Sequence, residues 1–446
     1  MEHTNNNARM CAYKILYKIE KDDAFSNIAL KEGLGTSALN AADRRLVTTI
    51  VYGCVKYRRY LDYVISRFSS VKIKKLSTNV LLILRMGIYQ IIKLDRVPDS
   101  AAVNESVKIA SKLAYRSKGF INALLRKVSA EKSRIDLPVD LCERLGVEYS
   151  YPDELVKMWL DDYGEAFCEE LMRASNESAP LTVRVNTLKT DEDTLIKRLC
   201  DDGIRAKKTN IKNMLILDGN DIASLDSYRE GLFTPQGIGS YLACMALGVS
   251  CGDVAVDLCA APGGKSTHMA ELMNNSGIIH SFDIHEHRTA LIENSAGRLG
   301  IDIIKAQVAD SSVCMNKHIQ SADAVLADVP CSGLGIIRKK PDIKWSFDKD
   351  ELEELARLQY AILCTGAKYV KVGATLVYST CTISKTENMG VVERFLKEND
   401  NFTLCSIDDI VPKEYKKPSA KQGYVEFYPN IDGIDGFFIC KMKRKC

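Results

Sequence analysis

No Cys-x-x-Cys pair occurs in the 446 residues, although the chain carries 15 cysteines. An odd count without paired spacing argues against a disulfide framework and against a zinc ribbon, so no metal is expected and a reducing cytoplasm is the expected compartment. Long apolar runs are also missing. The longest, Val80 to Ile92, is interrupted by Arg85 and is too short to span a bilayer, so it reads as a buried helix rather than a membrane anchor. The opening stretch from Glu2 to Arg9 is polar and lacks the apolar core of a secretion signal. No period of about 20–50 residues repeats, which excludes solenoids and propellers. Neither G-x-x-x-x-G-K-[ST] nor G-x-G-x-x-G occurs, which argues against a P-loop and against a simple dinucleotide site.

What is present is the composition of a globular protein of more than one domain, 46% hydrophobic and 27% charged. The net charge of +3 hides an asymmetry. Residues 1–135 hold 25 Lys/Arg against 11 Asp/Glu, an excess of fourteen positive charges, so the remainder is net acidic. A basic front segment of this kind points to a polyanionic partner, nucleic acid first.

Periodicity divides the chain into three parts. Residues 1–135 read as an all-α bundle, with apolar residues at helical spacing in Ala12, Ile15, Leu16 and Ile19 and a longer helix starting after Asn40. Residues 136–233 read as a small mixed α/β linker domain, with a helix over Pro152 to Ala174, a strand over Leu181 to Asn186 and another over Met214 to Leu217. From residue 234 to 446, short Val/Ile/Ala-rich runs alternate with helical segments. The runs are Ala255–Leu258, Ile278–Phe282, Ile303–Ala306, Ala324–Ala327 and Thr375–Tyr378. That alternation predicts a parallel, doubly wound, Rossmann-like sheet, and such sheets bind ligands beyond the carboxyl ends of their strands.

The loops after those five runs carry the chemistry. The first reads Asp257-Leu258-Cys259-Ala260-Ala261-Pro262-Gly263-Gly264-Lys265-Ser266-Thr267-His268 and opens a helix, whose free N–H groups can meet a carboxylate or phosphate. Asp283 ends the second run, where a carboxylate can accept bonds from ribose hydroxyls, and Asp310 follows the third. In order, these acids point to a nucleoside-containing cofactor. The fourth loop, Asp328-Val329-Pro330-Cys331-Ser332-Gly333-Leu334-Gly335, and the fifth, Ser379-Thr380-Cys381-Thr382, each place a cysteine on the same rim.

These three loops resemble the motifs of the S-adenosylmethionine-dependent RNA cytosine-C5 methyltransferases, the NOL1/NOP2/Sun group. The stretch Ile337-Arg338-Lys339-Lys340-Pro341-Asp342-Ile343-Lys344-Trp345 is similar to one in its RsmB-type branch, which acts on bacterial 16S ribosomal RNA. Asp43-Arg44-Arg45-Leu46 through Gly53, Leu84-Arg85-Met86-Gly87, Val103-Asn104-Glu105 and Gly119-Phe120-Ile121-Asn122 resemble a NusB-type RNA-binding helical domain, which that branch carries in front. The likeness covers nearly the whole chain.

The resemblance implies a class I methyltransferase that moves a methyl group from S-adenosylmethionine to C5 of one cytosine in 16S ribosomal RNA, acting as a monomer. Such chemistry needs a thiolate, because C5 becomes nucleophilic only after addition at C6. A Pro-Cys pair, as in DNA cytosine methyltransferases, would nominate Cys331; the RNA group uses the Thr-Cys loop, which nominates Cys381 as nucleophile and leaves Cys331 to assist product release. Asp328 is the implied base-contacting carboxyl, and Lys265 an active-site cation that lowers a thiol pKa. Cys259, Ala260, Ala261, Pro262, Gly263, Gly264, Lys265, Asp283, Asp310 and Asp328 are the implied cofactor contacts. Arg338, Lys339, Lys340 and Lys344 are expected to meet RNA phosphate, and Trp345 either stacks on a base or packs in a core. Two other readings stay open: a transfer-RNA cytosine methyltransferase, and a non-catalytic RNA-binding adaptor.

Overall fold

A computed structural model describes residues 7–22, 24–219 and 222–445; most of the polar opening stretch, residues 2–6, lies outside them. The chain folds as two units, Met1–Asn176 with Lys339–Phe347, and Glu177–Arg338 with Asp348–Cys446.

The first unit is all-helical, as the periodicity predicts. Asn40 caps the helix Ala41–Lys56, its side chain accepting from the Asp43 amide at 2.9 Å. The apolar run becomes the helix Thr78–Lys93, buried along most of its length. Arg85 lies inside it and is tolerated because Asp62 receives its Nε and Nη2 at 2.7 Å each, with Glu20 at 3.1 Å from Nη1. A buried guanidinium without such partners would cost several kcal/mol, on the order of an uncompensated ion.

Three further helices, Leu141–Glu148, Asp153–Tyr163 and Glu165–Asn176, lie in the same compact unit as the front helices. The single helix expected over 152–174 is broken at Gly164. These helices bury Leu145, Leu155, Val156 and Trp159, and polar ties hold them down: the Arg59 amide donates to Ser150 Oγ at 3.0 Å, and Lys56 Nζ to the Asn176 carbonyl at 2.7 Å.

The segment 339–347 returns from far along the chain to complete the same unit. The Asp342 carboxylate receives the Ser26 amide at 3.2 Å and the Ser26 hydroxyl, placing an anion at the N-terminus of the helix Ser26–Gly35. Trp345 Nε1 donates to the Val55 carbonyl at 2.7 Å, with the Arg58 guanidinium 4.4 Å over its ring. Trp345 therefore packs in the helical core. Lys344, expected to meet RNA phosphate, is fully buried, its Nζ 3.3 Å from Asn176 Oδ1 and 4.1 Å from the centre of the Tyr151 ring. That expectation is corrected: a run of basic residues reads as a solvated loop, but the turn Pro341–Trp345 directs this one inward.

The second unit holds two sheets. Strands β1 (Leu181–Val185), β2 (Arg205–Lys208), β3 (Met214–Asp218) and β4 (Phe233–Pro235) form an antiparallel sheet in the order β2-β3-β1-β4. The larger sheet contains β5 (Val254–Asp257), β6 (Ile278–Asp283), β7 (Ile304–Val308), β8 (Ala322–Asp328) and β9 (Val370–Thr380), all parallel. Beyond β9 come β10 (Phe402–Leu404), β11 (Tyr424–Phe427) and β12 (Phe437–Arg444), antiparallel additions in the order β10-β12-β9-β8-β5-β6-β7, with β11 also on β12. Alternate residues feed opposite cores: Val256, Val325 and Leu376 enter one, Ala255, Ala324 and Val377 the other. The chain order reverses between β5 and β8, so their carboxyl ends mark the crevice in which a ligand binds. Among the described residues, no helix is long and apolar enough to cross a membrane.

Burial, reinforced by Lys56 and Arg58, holds the Lys344 amine well below its usual range. The unfolded chain therefore binds a proton that the folded chain does not, and stability falls as pH drops from the unfolded value near 10.5. Lys344→Met is expected to raise the midpoint of denaturant unfolding at pH 7, with a gain that shrinks as pH approaches 10, and to leave RNA affinity unchanged. An unaltered midpoint together with weakened RNA binding would restore the phosphate-contact role.

Candidate active site

The first loop leaves β5 at Asp257 and turns into the helix Gly264–Leu272. Backbone bonds fix its path: the Leu258 amide to the Leu326 carbonyl at 3.0 Å, Ala260 to Phe282 at 2.8 Å and Gly263 to Ala260 at 2.7 Å. Gly263 has φ of 101°, and a Cβ there would lie 3.1 Å from Ile292 Cα, so glycine is required. Gly264 faces the opposite situation, since a Cβ there would meet nothing within 4 Å.

Arg184 on β1 clamps this loop from the small sheet. It is 1% exposed; Nη1 donates to the Gly264 carbonyl at 2.9 Å, while Nε and Nη2 grip both Glu271 oxygens at 2.8 Å. Gln236 adds a bond from Nε2 to the same Gly264 carbonyl at 3.3 Å.

The acids lie along the same rim. Asp283 is buried at the end of β6, accepting from the His285 amide at 3.2 Å, with Arg288 Nη1 at 3.4 Å. Asp310, exposed after β7, accepts from the Ser312 hydroxyl and amide at 2.7 and 2.9 Å, bonds that hold its carboxyl below the usual range. Cys259 is kept a neutral thiol by burial. The residues from Cys259 to Lys265 thus form one turn, with Asp283, Asp310 and Asp328 at the ends of neighbouring strands. The open face at Gly264 leaves room for a ligand to approach the loop, and the buried Asp283 carboxylate at the β6 end offers acceptors of the kind a ribose needs.

The two thiols meet because β8 and β9 are parallel and in register, Asp328 opposite Ser379. Cys331 and Cys381 leave those strands together, and their Sγ atoms lie 3.3 Å apart. Cys331 is pushed well up by its bond to Cys381 and by burial, so it holds its proton. The Cys381 carbonyl accepts from the Gly335 amide at 3.1 Å, and the Gly335 carbonyl from the Gly436 amide at 2.8 Å. Asp328 accepts from Ser379 Oγ at 2.7 Å through one oxygen and from Lys265 Nζ at 2.6 Å through the other. Burial opposes the Lys265 charge, but Asp328 outweighs it and the amine is held above its usual range. Lys265 therefore points into the site and pairs with the carboxylate.

Not all expected contacts gather here. Arg338 directs Nη1 to the Gly433 carbonyl at 3.0 Å and Nη2 to the Ser178 carbonyl at 3.2 Å, while Lys339 and Lys340 are exposed within the other unit. The sequence reading missed two residues. Arg184 alternates with buried valines on a strand, a weak sign of an inward charge, and Glu387 sits in a polar stretch that carries no signal at all.

Residues 244–443 match the family model for the 16S rRNA methyltransferase RsmB/F, residues 6–130 that of the NusB family, and residues 151–221 the ferredoxin-like domain of RsmF/B-like methyltransferases. The chain is 36% identical over 443 residues to the probable ribosomal RNA small subunit methyltransferase B of Bacillus subtilis, covering 98% of each. It is 33% identical over 445 residues to the protein of the same description from Synechocystis, covering 98% of this chain and 99% of that one. Among solved structures, PH0851 superposes with a TM-score of 0.83 at 26% identity, covering 100% of both chains.

Asp257 is fully buried with a bond from Ser266 Oγ at 2.6 Å, and burial raises its pKa to about 7. The folded chain binds this proton more tightly than the unfolded one, so its contribution is complete below about pH 4 and lost as pH rises through 7. Asp257→Asn should therefore melt higher than the parent at pH 8, with the difference narrowing towards pH 5. Melting curves at the two pH values test this; a lower melting temperature at pH 8 would show that the ionised carboxylate is needed.

Proposed function

The chain belongs to the ribosomal RNA small subunit methyltransferase B family, and on that premise we propose that it methylates C5 of a cytosine in 16S ribosomal RNA through a covalent cysteine adduct. What carries this reading is the pair of thiols 3.3 Å apart beside the Lys265–Asp328 ion pair, on the rim that also bears the first loop. The basic excess of the front segment supports a polyanionic substrate.

Residues 259–265 with Asp283, Asp310 and Asp328 would hold S-adenosylmethionine, which when bound would supply an electrophilic methyl group. The protein's part is to make C5 able to accept it. Cys381, as thiolate, adds to C6 of the cytosine; the new C6–S bond turns C5 enamine-like, and the electron pair is delocalised toward N3. Asp328, which accepts from Ser379 and Lys265, is the carboxylate assigned to accept from the amino group of the base and so select cytosine. After C5 is methylated, its proton departs to a base, the electron pair reforms the C5–C6 double bond, and the C6–S bond breaks. Cys331 retains its proton beside Cys381, and so can assist that last step.

Two substitutions separate the roles. With labelled S-adenosylmethionine and 16S RNA, Cys381→Ala should lose labelling by about three orders of magnitude or more, as expected when a nucleophile is removed. Cys331→Ala should instead accumulate a protein–RNA conjugate that survives denaturation. An active Cys381→Ala with an inert Cys331→Ala would reverse the assignment. RNA bearing 5-fluorocytosine at the target should trap the parent enzyme, because the C5 substituent cannot leave as a proton. The absence of any conjugate there would overturn the covalent mechanism.

A further inference from the structure

Glu387 is 0% exposed, yet its carboxylate reaches both thiol loops. One oxygen accepts from the Ser332 amide at 2.8 Å and from Gln359 Nε2 at 2.9 Å. The other accepts from Ser332 Oγ at 2.5 Å and from Thr382 Oγ1 at 3.3 Å. Ser332 follows Cys331 and Thr382 follows Cys381, so a single carboxylate grips the residue after each thiol. The two hydroxyls also meet each other at 2.8 Å. Gln359 closes the frame with a second bond from Nε2 to the Pro330 carbonyl at 2.9 Å, on the residue before Cys331. The Glu387 carbonyl is itself fixed by Tyr378 OH at 2.6 Å, from within β9.

A buried carboxylate held by the Ser332 amide, the Ser332 hydroxyl and Gln359, with the single Thr382 proton shared between it and Ser332 Oγ, is a rigid connector, because withdrawing a donor leaves an oxygen lone pair desolvated. Ser332 and Thr382 come from the two loops that must keep their sulfurs in register, and Gln359 from the helix Lys349–Tyr369. We propose that Glu387 is a positioning residue that holds Cys331 beside Cys381 and thereby governs release of the methylated product rather than attack on the base. The proposal rests on the covalent reading given above. Attack requires only that Cys381 reach C6; release requires a second thiol at a fixed distance from the first. The negative charge of Glu387 also helps to keep the proton on Cys331, in the direction that release requires.

The test reads the two phases separately in the full-length protein with 16S RNA. Glu387→Gln keeps the shape but replaces one acceptor by a donor, so the frame loses bonds on one side. Single-turnover methylation should fall less than about threefold while steady-state turnover falls about tenfold or more, and denaturation-resistant conjugate should build up. The conjugate should vanish when Cys381→Ala is added. Methylation and turnover falling in equal proportion without conjugate, or turnover unchanged, would overturn the proposal. Cys331→Ala, run in parallel, tells the two readings apart: if it traps conjugate and Glu387→Gln does not, the positioning role fails while the covalent mechanism stands; if neither does, the mechanism itself fails. Should Glu387→Gln not fold, Ser332→Ala removes only the hydroxyl bonds to Glu387 and Thr382, and must shift the partition toward conjugate in the same assay for the proposal to survive.

Discussion

The register between β8 and β9 is the constraint on which the site depends. Asp328 sits opposite Ser379, and the side chains bond across that register at 2.7 Å. Parallel strands ending level deliver their loops to the same place, so Cys331 and Cys381, 50 residues apart in sequence, come within 3.3 Å. A slip of one residue would turn Asp328 to the other face of the sheet, since side chains alternate with a period of two. It would separate Asp328 from Lys265 and the thiols from each other. The parallel sheet therefore does more than support the site; its pairing sets the distances at which the chemistry works.

Around that constraint, charge is neutralised in pairs. Lys265 and Asp328 are matched, as are Arg184 and Glu271. Each pair joins segments that the chain alone would not keep together: the first loop to the end of β8, and the small antiparallel sheet to the helix that opens at Gly264. A buried ion pair contributes little net stability against its desolvation, but removing one member leaves the other uncompensated. Such pairs fix geometry more than they add free energy.

What could be read in the sequence followed from local rules. The five parallel strands announced themselves as short apolar runs, and the loops beyond them held the residues with chemistry, because a doubly wound sheet exposes its carboxyl ends. Asn40 was legible as a helix start because a cap acts on residues three positions away. What escaped reading depended on partners distant in the chain. Glu387 acquires its role from Ser332, 55 residues earlier, and Arg184 from Glu271, 87 residues later. Neither has a local signature. Lys344 misled for the same reason: its run of neighbours is basic, yet its environment is set by Tyr151 and Asn176. The short strands β10 and β11 were invisible because both exist only as additions to β12.

The path of residues 339–347 has a consequence for how the polypeptide can be divided. A fragment starting at Glu177 would still carry Asp342, Lys344 and Trp345, but without the cavity walls supplied by Ser26, Val55 and Tyr151. The complementary fragment would lack its plug. A cut at residue 177 therefore parts Asp342, Lys344 and Trp345 from the side chains and carbonyls they bond to, so a division of the chain that keeps this packing has to carry residues 339–347 with the helical unit.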